Sequence, residues 1–146
     1  MPDPFALEAP VLGVQLLLAD AAEVADGKIF VLGGGLTVIG PRPQPLAVVI
    51  RIEVPWDRAN IAHRWHLELV DEDGAPVTVG ERPVGVRGRF EAGRPAGLRP
   101  GTPLSVPVAV NFPTLPVTGG RSYTWQLAID GVTHDTWRQS FYVRPA

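Results

Sequence analysis

The segment of residues 14–35 places the strongest constraint on how this chain folds. An apolar run is interrupted by the pair Asp26-Gly27, a second apolar run follows, and three glycines at positions 33–35 end it. An Asp-Gly pair between two apolar runs favours a tight turn between β-strands, and glycine clusters interrupt regular structure. The segment therefore predicts a β-rich fold, and it contains no recognisable active site.

Helix formation is the competing prediction for the middle of this segment. Residues 16–27 are rich in strong helix formers, and Gly27 could cap a helix at its carboxyl end. Against this, residues 11–18 form a compact apolar run after Pro10, and residues 28–32 form another. We therefore predict a strand, a loop that contains one helical turn, and a second strand.

The spacing of proline and glycine predicts many short strands. The chain has 146 residues, of which 16 are glycine and 16 are proline, and these lie between the apolar runs. A chain of this length forms one domain that buries roughly 70% of its unfolded surface. Alternation of apolar and polar side chains then predicts individual strands, at residues 46–54, 64–69, 84–91, 104–112, 123–129 and 137–143. A further strand is expected at residues 36–39, after the three glycines, and a short one at residues 77–79, after the turn at residues 71–74.

These strands predict an all-β fold. We expect a single domain over residues 1–146, with a short extended arm at residues 1–10, that forms a two-sheet antiparallel β-sandwich of immunoglobulin-like or related topology with about nine or ten strands. Trp65 and Trp125 alternate with polar residues in their strands and are expected in the core. Pro107 cannot donate a backbone hydrogen bond within its strand, so it predicts either an edge strand or a bulge.

The composition also bears on location and excludes some functions. The chain has no cysteine, which excludes disulfides and thiolate chemistry and fits a reducing cytoplasm. Its amino-terminal residues lack a basic segment leading into an apolar one, and no later stretch holds 18 uninterrupted apolar residues. We therefore expect a cytoplasmic protein that neither is exported nor spans a membrane.

Short stretches at turns and strand ends carry a resemblance to a known family. They are Leu18-Ala19-Asp20, Asp26-Gly27-Lys28, Val31-Leu32-Gly33-Gly34-Gly35, Val54-Pro55-Trp56, Asp71-Glu72-Asp73-Gly74 and Phe141-Tyr142-Val143. Together they resemble an uncharacterised family of short bacterial proteins, frequent in actinobacteria, over nearly the whole chain. The resemblance implies a bacterial, cytoplasmic, single-domain β-sandwich protein, and it carries over no catalytic residues.

Two of the four tryptophans lie where strands meet loops, among polar residues. Trp56 is followed closely by Arg58 and Asn60, and Trp137 follows Asp135. A flat apolar ring beside groups that fix orientation is typical of sugar or protein contacts. The candidate ligand or partner site therefore comprises Trp56, Arg58, Asn60, His66 and Trp137. The alternative is that Trp56 and Trp137 close the ends of the sandwich.

Catalytic and metal-binding patterns are weak in this sequence. His63 and His66 are three apart, so on a strand they point to opposite faces, whereas metal ligands must converge. A composite hydrolase or isomerase site around His66, Glu68, His134 and Asp135 stays open as an alternative. No serine lies in a Gly-x-Ser-x-Gly elbow. We expect no enzyme activity, no cofactor and no metal.

The arginines of residues 82–99 raise the question of nucleic-acid binding. Arg87 and Arg89 share a strand face, but Phe90, the aromatic residue nearest to them, lies on the opposite face. With 13 basic and 15 acidic residues the net charge is −2, which gives no attraction to polyanions as a whole. A solvated strand face is the preferred interpretation, and no nucleic-acid partner is expected.

The first strand indicates how the protein acts. Leu16 and Leu18 point to one face and Leu17 and Ala19 to the other, so both faces of the strand require cover. A second chain could supply that cover, and we expect a homo-oligomer or a protein partner. The sequence therefore favours a non-enzymatic binding or assembly protein, with a carbohydrate or small-ligand module at the loop tryptophans as the alternative.

Overall fold

The structure, a computed structural model, describes residues 11–146. The arm expected at residues 1–10 lies outside the described residues. Within this range the chain forms strands and one turn of 3₁₀ helix at Trp56–Arg58. The strands are β1 (Gly13–Ala19), β2 (Ala21–Ala25), β3 (Lys28–Leu32), β4 (Val38–Ile39), β5 (Leu46–Val54), β6 (Ala62–Val70), β7 (Thr78–Val79), β8 (Arg82–Pro83), β9 (Gly85–Glu91), β10 (Leu104–Phe112), β11 (Ser122–Ile129) and β12 (Arg138–Val143).

The strands form two larger sheets and two hairpins. One sheet has the order β1-β5-β10, the other has the order β4-β12-β11-β6-β9, and β2-β3 and β7-β8 pair separately. All pairings are antiparallel except that of β4 with β12. Within residues 11–146 the expected all-β class is confirmed. No helix in the described range is long and apolar enough to cross a membrane.

Twelve strands are present in the described range, where about nine or ten were expected. The two that the sequence did not predict are β2, where a loop was expected, and β8, which has only two residues and is too short for alternation to show. Strand β10, which contains Pro107, lies at the edge of the three-stranded sheet, as the proline predicts.

The predicted loop with a helical turn is wrong, because residues 21–25 form strand β2. Asp26 and Gly27 take φ values of 52° and 69°, and Ala25 pairs directly with Lys28 across them. Two central residues with positive φ make the turn that matches the twist of a two-residue hairpin. The hydrogen bonds of this hairpin outweigh the helix propensity of the segment, which is a weak preference.

The two larger sheets contribute side chains to one apolar core. Trp125 on β11 is fully buried and Trp65 on β6 is nearly so, which confirms both predictions. Phe112 on β10 stacks on Trp125 with ring centroids 4.8 Å apart, so the two sheets contact each other through these rings. Aromatic pairs at this separation add about 0.5–1.5 kcal/mol beyond the area they bury.

Strand β1 finds cover on its second face within the same chain. Ala19 is buried and Leu17 is partly exposed. Asn111 on β10 lies on the same face of the sheet as Ala19. Its side chain accepts a hydrogen bond from the Ala22 amide at 3.2 Å and donates one to the Ala22 carbonyl at 2.8 Å. The hairpin β2-β3 is thereby fixed against the outer side of the three-stranded sheet, so a second chain is not the only cover for that face.

We expect Gly88→Ala to destabilise the fold. Gly88 pairs with Trp65, and an added Cβ would lie 2.5 Å from the Cζ2 atom of the buried indole. Overpacking of this kind costs about 1–3 kcal/mol of unfolding free energy. Urea unfolding followed by circular dichroism measures the change.

Gly93→Ala is the matched control, because its added Cβ would meet no atom closer than the Asn60 Oδ1 at 4.0 Å. We expect a change below about 1 kcal/mol there. Equal stabilities for the two variants would contradict the packing of Trp65 against Gly88.

Candidate functional site

The outer face of the five-stranded sheet collects positive charge from two neighbouring strands. Along β6, Trp65 points into the core while Arg64 and His66 point outward. The register of β6 with β9 places Arg64 opposite Arg89 and His66 opposite Arg87. Side chains on one face of paired strands lie within reach of one another, so four potentially cationic groups share one patch of surface.

These residues line an open depression, which we call the arginine groove. Its volume is about 800 Å³, and small residues of β11 and β9 and of the turn after β11 leave room above the sheet. The groove is lined by Arg64, Trp65, His66, Arg87, Gly88, Arg89, Ala128, Asp130 and Gly131.

The charge of the groove is not neutralised within the described chain. Like charges directly opposite each other on paired strands destabilise a sheet, and Arg64 and Arg89 are such a pair. Among residues 11–146 no carboxylate lies within 4.0 Å of the guanidinium groups of Arg64, Arg87 or Arg89. Three arginines therefore face solvent with their positive charge uncompensated by a close partner.

Asp130, the acidic residue in the lining, is held in place by other groups. Its Oδ1 accepts a hydrogen bond from the Arg64 backbone amide at 2.9 Å, and its Oδ2 lies 2.7 Å from the His63 Nδ1. The amide hydrogen bond, followed by the His63 contact, lowers the pKa of Asp130 below its ordinary value of 3.8. The charge of Arg64 also lowers this pKa to a smaller extent, although within residues 11–146 the Asp130 carboxylate makes no ion pair within 4.0 Å with an arginine side chain of the groove.

His63 connects this carboxylate to the core. Its ring stacks on Phe90 with centroids 4.9 Å apart, and its side chain is mostly buried. The Nε2 atom has no hydrogen-bond partner among the described residues. His63 and His66 lie on opposite faces of β6, as their spacing predicts, with His63 packed inward on Phe90 and His66 in the groove.

Trp56, a predicted site residue, is covered by an arginine that the sequence reasoning did not connect with it. The Arg94 guanidinium lies 4.5 Å from the centroid of the Trp56 ring, and its NH2 group donates to the Trp56 carbonyl at 2.6 Å. Trp56 lines a second depression of about 490 Å³, together with Glu53, Asp57 and others. Arg58 and Asn60 do not line it.

The remaining predicted residues lie apart from this second depression. Asn60 takes a positive φ of 62°, and its amide donates to the Ala92 carbonyl at 2.7 Å. Trp137 is buried in the core and tilted against His134 at 4.7 Å, so it does not present its ring to a ligand. His66 lies in the arginine groove, and the five residues are therefore not brought together.

The composite His/Asp/Glu site also lacks a convergent arrangement. His66 and Glu68 share the outer face of β6, whereas His134 packs on Trp137, and the wholly exposed Asp135 carboxylate lies 4.0 Å from Arg138. Within residues 11–146 no three His, Asp or Glu side chains are placed to hold a metal ion.

Sequence reasoning missed Arg64 as a partner of Arg87 and Arg89. The signal was present as alternation, since Arg64 and His66 flank Trp65 just as Arg87 and Arg89 flank Gly88. Alternation within each strand does not show that β6 pairs with β9. That pairing makes the outward side chains of the two strands neighbours.

We expect Asp130→Asn to lower stability in a pH-dependent way. A carboxyl whose folded-state pKa is lowered stabilises the fold above its unfolded pKa, and that contribution is lost as the pH falls through the folded value. Asparagine tolerates the left-handed backbone at this position, where φ is 51°. The wild type should therefore exceed the variant in unfolding free energy at pH 6, and the difference should shrink below about pH 4.

Urea unfolding of both proteins between pH 6 and pH 2.5 measures this difference. A difference that stays constant over the whole range would show that the Asp130 charge contributes nothing through its hydrogen bonds.

Comparison with known proteins places the chain in a family. No curated protein matches it. A family model described as a family of unknown function (DUF6941) matches residues 15–144, so the match includes both larger sheets and the arginine groove. The expected resemblance to an uncharacterised family is confirmed to this extent: the chain belongs to the family of unknown function DUF6941.

Proposed function

We propose that this protein is a non-enzymatic binding and assembly protein that acts through protein-protein contact, with a second copy of itself as the partner. The observation that carries the proposal is an exposed pair of apolar side chains on the hairpin β2-β3. Phe30 is 54% exposed and Leu32 is 71% exposed. We call these two side chains, which share one face of β3, the apolar hairpin surface; Val24 and Val31 are less exposed and lie on the opposite face of the hairpin.

The two side chains of this surface are two positions apart on β3, so they project from the same face of the hairpin. Val31 projects from the opposite face, where it and Leu17 of β1 both lie near Gly34. Phe30 and Leu32 alternate on one face of β3 and line a shallow depression of about 290 Å³. Clustered exposed apolar groups on soluble proteins mark interaction sites.

The free edge of β3 supports a second copy as the occupant. In the described range β3 pairs with β2 alone, and neither a proline nor a bulge interrupts it. Monomeric proteins protect such edges, because unpaired amide and carbonyl groups join other strands. Two identical edges can pair antiparallel about a two-fold axis, which would place Phe30 and Leu32 of the two copies side by side on one face of the joined sheet.

We expect Phe30→Glu to abolish this association. A carboxylate placed in an apolar contact loses hydration without gaining a partner, and a loss of about 1.4 kcal/mol already weakens association tenfold. Sedimentation velocity over a range of concentrations should show a reversible dimer for the wild type and a monomer for the variant.

Val79→Glu is the matched control, since Val79 is 61% exposed but lies on β7, outside the apolar hairpin surface. It should dimerise like the wild type. A wild type that remains monomeric up to a protein concentration of about 100 μM, where even a Kd of that size would give a visible dimer fraction, would overturn self-association. Equal loss of the dimer in both variants would also overturn it.

A small-ligand module is the second candidate. Its support is the depression beside Trp56, whose volume of about 490 Å³ lies in the range of small-molecule sites. Arg94 already covers one side of the Trp56 ring, so a sugar would stack on the other side. Titration with a panel of glycans should then change the tryptophan fluorescence of the wild type but not of Trp56→Phe, and an unchanged wild-type signal would contradict this candidate.

We further propose that the two larger sheets form a sandwich of immunoglobulin-like topology. The proposal is supported by the shared core, by a buried tryptophan on β6, and by Tyr123 near the start of β11. The Tyr123 hydroxyl accepts a hydrogen bond from the Thr118 amide at 2.8 Å, like the tyrosine corner of such folds. A bacterial origin and a cytoplasmic location are also proposals, supported by the resemblance and by the lack of cysteine.

A further inference from the structure

We propose that the arginine groove binds a small molecule that carries a doubly charged phosphoryl group. This site is distinct from the apolar hairpin surface, with which it shares no residue. The proposal rests on the number of arginines, on the absence of a close carboxylate partner for them in the described chain, and on the size of the depression.

The arrangement of the arginines suits a tetrahedral anion. Arg64 and Arg89 are directly opposed, on strands that lie about 4.8 Å apart. Arg87 precedes Arg89 by two residues on the same face of β9, so the two residues are about 6.8 Å apart along the strand. A phosphoryl group offers three strong acceptor oxygens and up to two negative charges, so several guanidinium forks can bind it at once. A lone carboxylate satisfies one fork.

Electrostatics favours occupation of the groove. Two guanidinium groups held opposite each other raise the free energy of the folded sheet, and an anion placed between them would remove that repulsion. Asp130 offsets only part of it, because its one negative charge faces three arginines and its side chain lies beyond 4.0 Å of their guanidinium groups. His66, opposite Arg87, can donate a further hydrogen bond from a ring nitrogen.

Apart from Asp130, which lines the groove, the acidic residues on the outer face of β6 and β9 lie at the ends of this patch. Glu68 follows His66 on the outer face of β6 and pairs with Gly85, and Glu91 follows Arg89 on β9 and pairs with Ala62. Neither lines the groove, and neither approaches an arginine of the groove within 4.0 Å. The centre of the patch therefore keeps its positive charge.

The shape of the groove favours a small ligand over a polymer. Its volume of about 800 Å³ matches sites for small molecules. Single-stranded nucleic acids need exposed aromatic rings on which bases stack, and the aromatic residues of β6 and β9, Trp65 and Phe90, are both buried. The groove thus offers charge without a stacking platform.

The experiment is a titration of the isotopically labelled protein with inorganic pyrophosphate and with glycerol 3-phosphate in low salt, monitored by the Nε–Hε signals of arginine. We expect saturable shifts for Arg64, Arg87 and Arg89 with both probes. Acetate at equal ionic strength should give no saturable shift.

Arg89→Gln separates a binding role from a structural one. It removes one of the opposed charges, so affinity for pyrophosphate should fall at least tenfold while the urea midpoint of the free protein stays equal or rises. Arg138→Gln is the matched control, because Arg138 lies on β12 of the same sheet but outside the groove. Its affinity should stay within twofold of the wild type.

Several results would overturn the proposal. They are shifts that do not saturate, equal shifts with acetate, and undiminished binding by Arg89→Gln. A hexaglutamate peptide or a single-stranded oligonucleotide that binds more tightly than both phosphate probes would assign the groove to a polymer instead. None of these outcomes depends on dimerisation through Phe30, so the two proposals fail independently.

Discussion

The pairing register of β6 determines both faces of the five-stranded sheet. Side chains alternate along a strand, so a slip of one residue would exchange the buried and the solvent-facing rows. In the observed register Trp65 lies against Gly88, which has no side chain to obstruct the indole, and Arg64 lies opposite Arg89. The apolar requirement of the core therefore sets the register, and the register in turn forces two arginines together on the outside.

Much of the fold follows from local patterns in the sequence. Alternation identified the long strands and placed Trp65 and Trp125 in the core, because burial of one face is decided within each strand. The helical turn expected after β1 was wrong, since pairing with β3 supplies hydrogen bonds that helix propensity does not count. The proximity of Arg64 to Arg89 depends on contacts between segments 25 positions apart, which no local pattern records.

The burial of the two candidate tryptophans also could not be predicted from their neighbours in the sequence. Trp56 and Trp137 have similar polar neighbours in the sequence, yet Trp137 is buried and Trp56 lies under the Arg94 guanidinium. Polar neighbours along the chain indicate a strand end, but burial is decided by which distant segments cover the ring. The groove and the apolar hairpin surface, which the structure reveals, both arise from contacts between strands.

The attachment of the hairpin β2-β3 by Asn111 has a consequence for how this protein can change. The Asn111 side chain hydrogen-bonds to the amide and the carbonyl of Ala22, groups that every residue except proline provides in full. These two hydrogen bonds use the main chain of the hairpin, so the outward side chains of Phe30 and Leu32 take no part in them. Substitutions of the outward side chains can therefore change the surface of the hairpin, and with it the choice of partner, while the hydrogen bonds of Asn111 keep the hairpin in place.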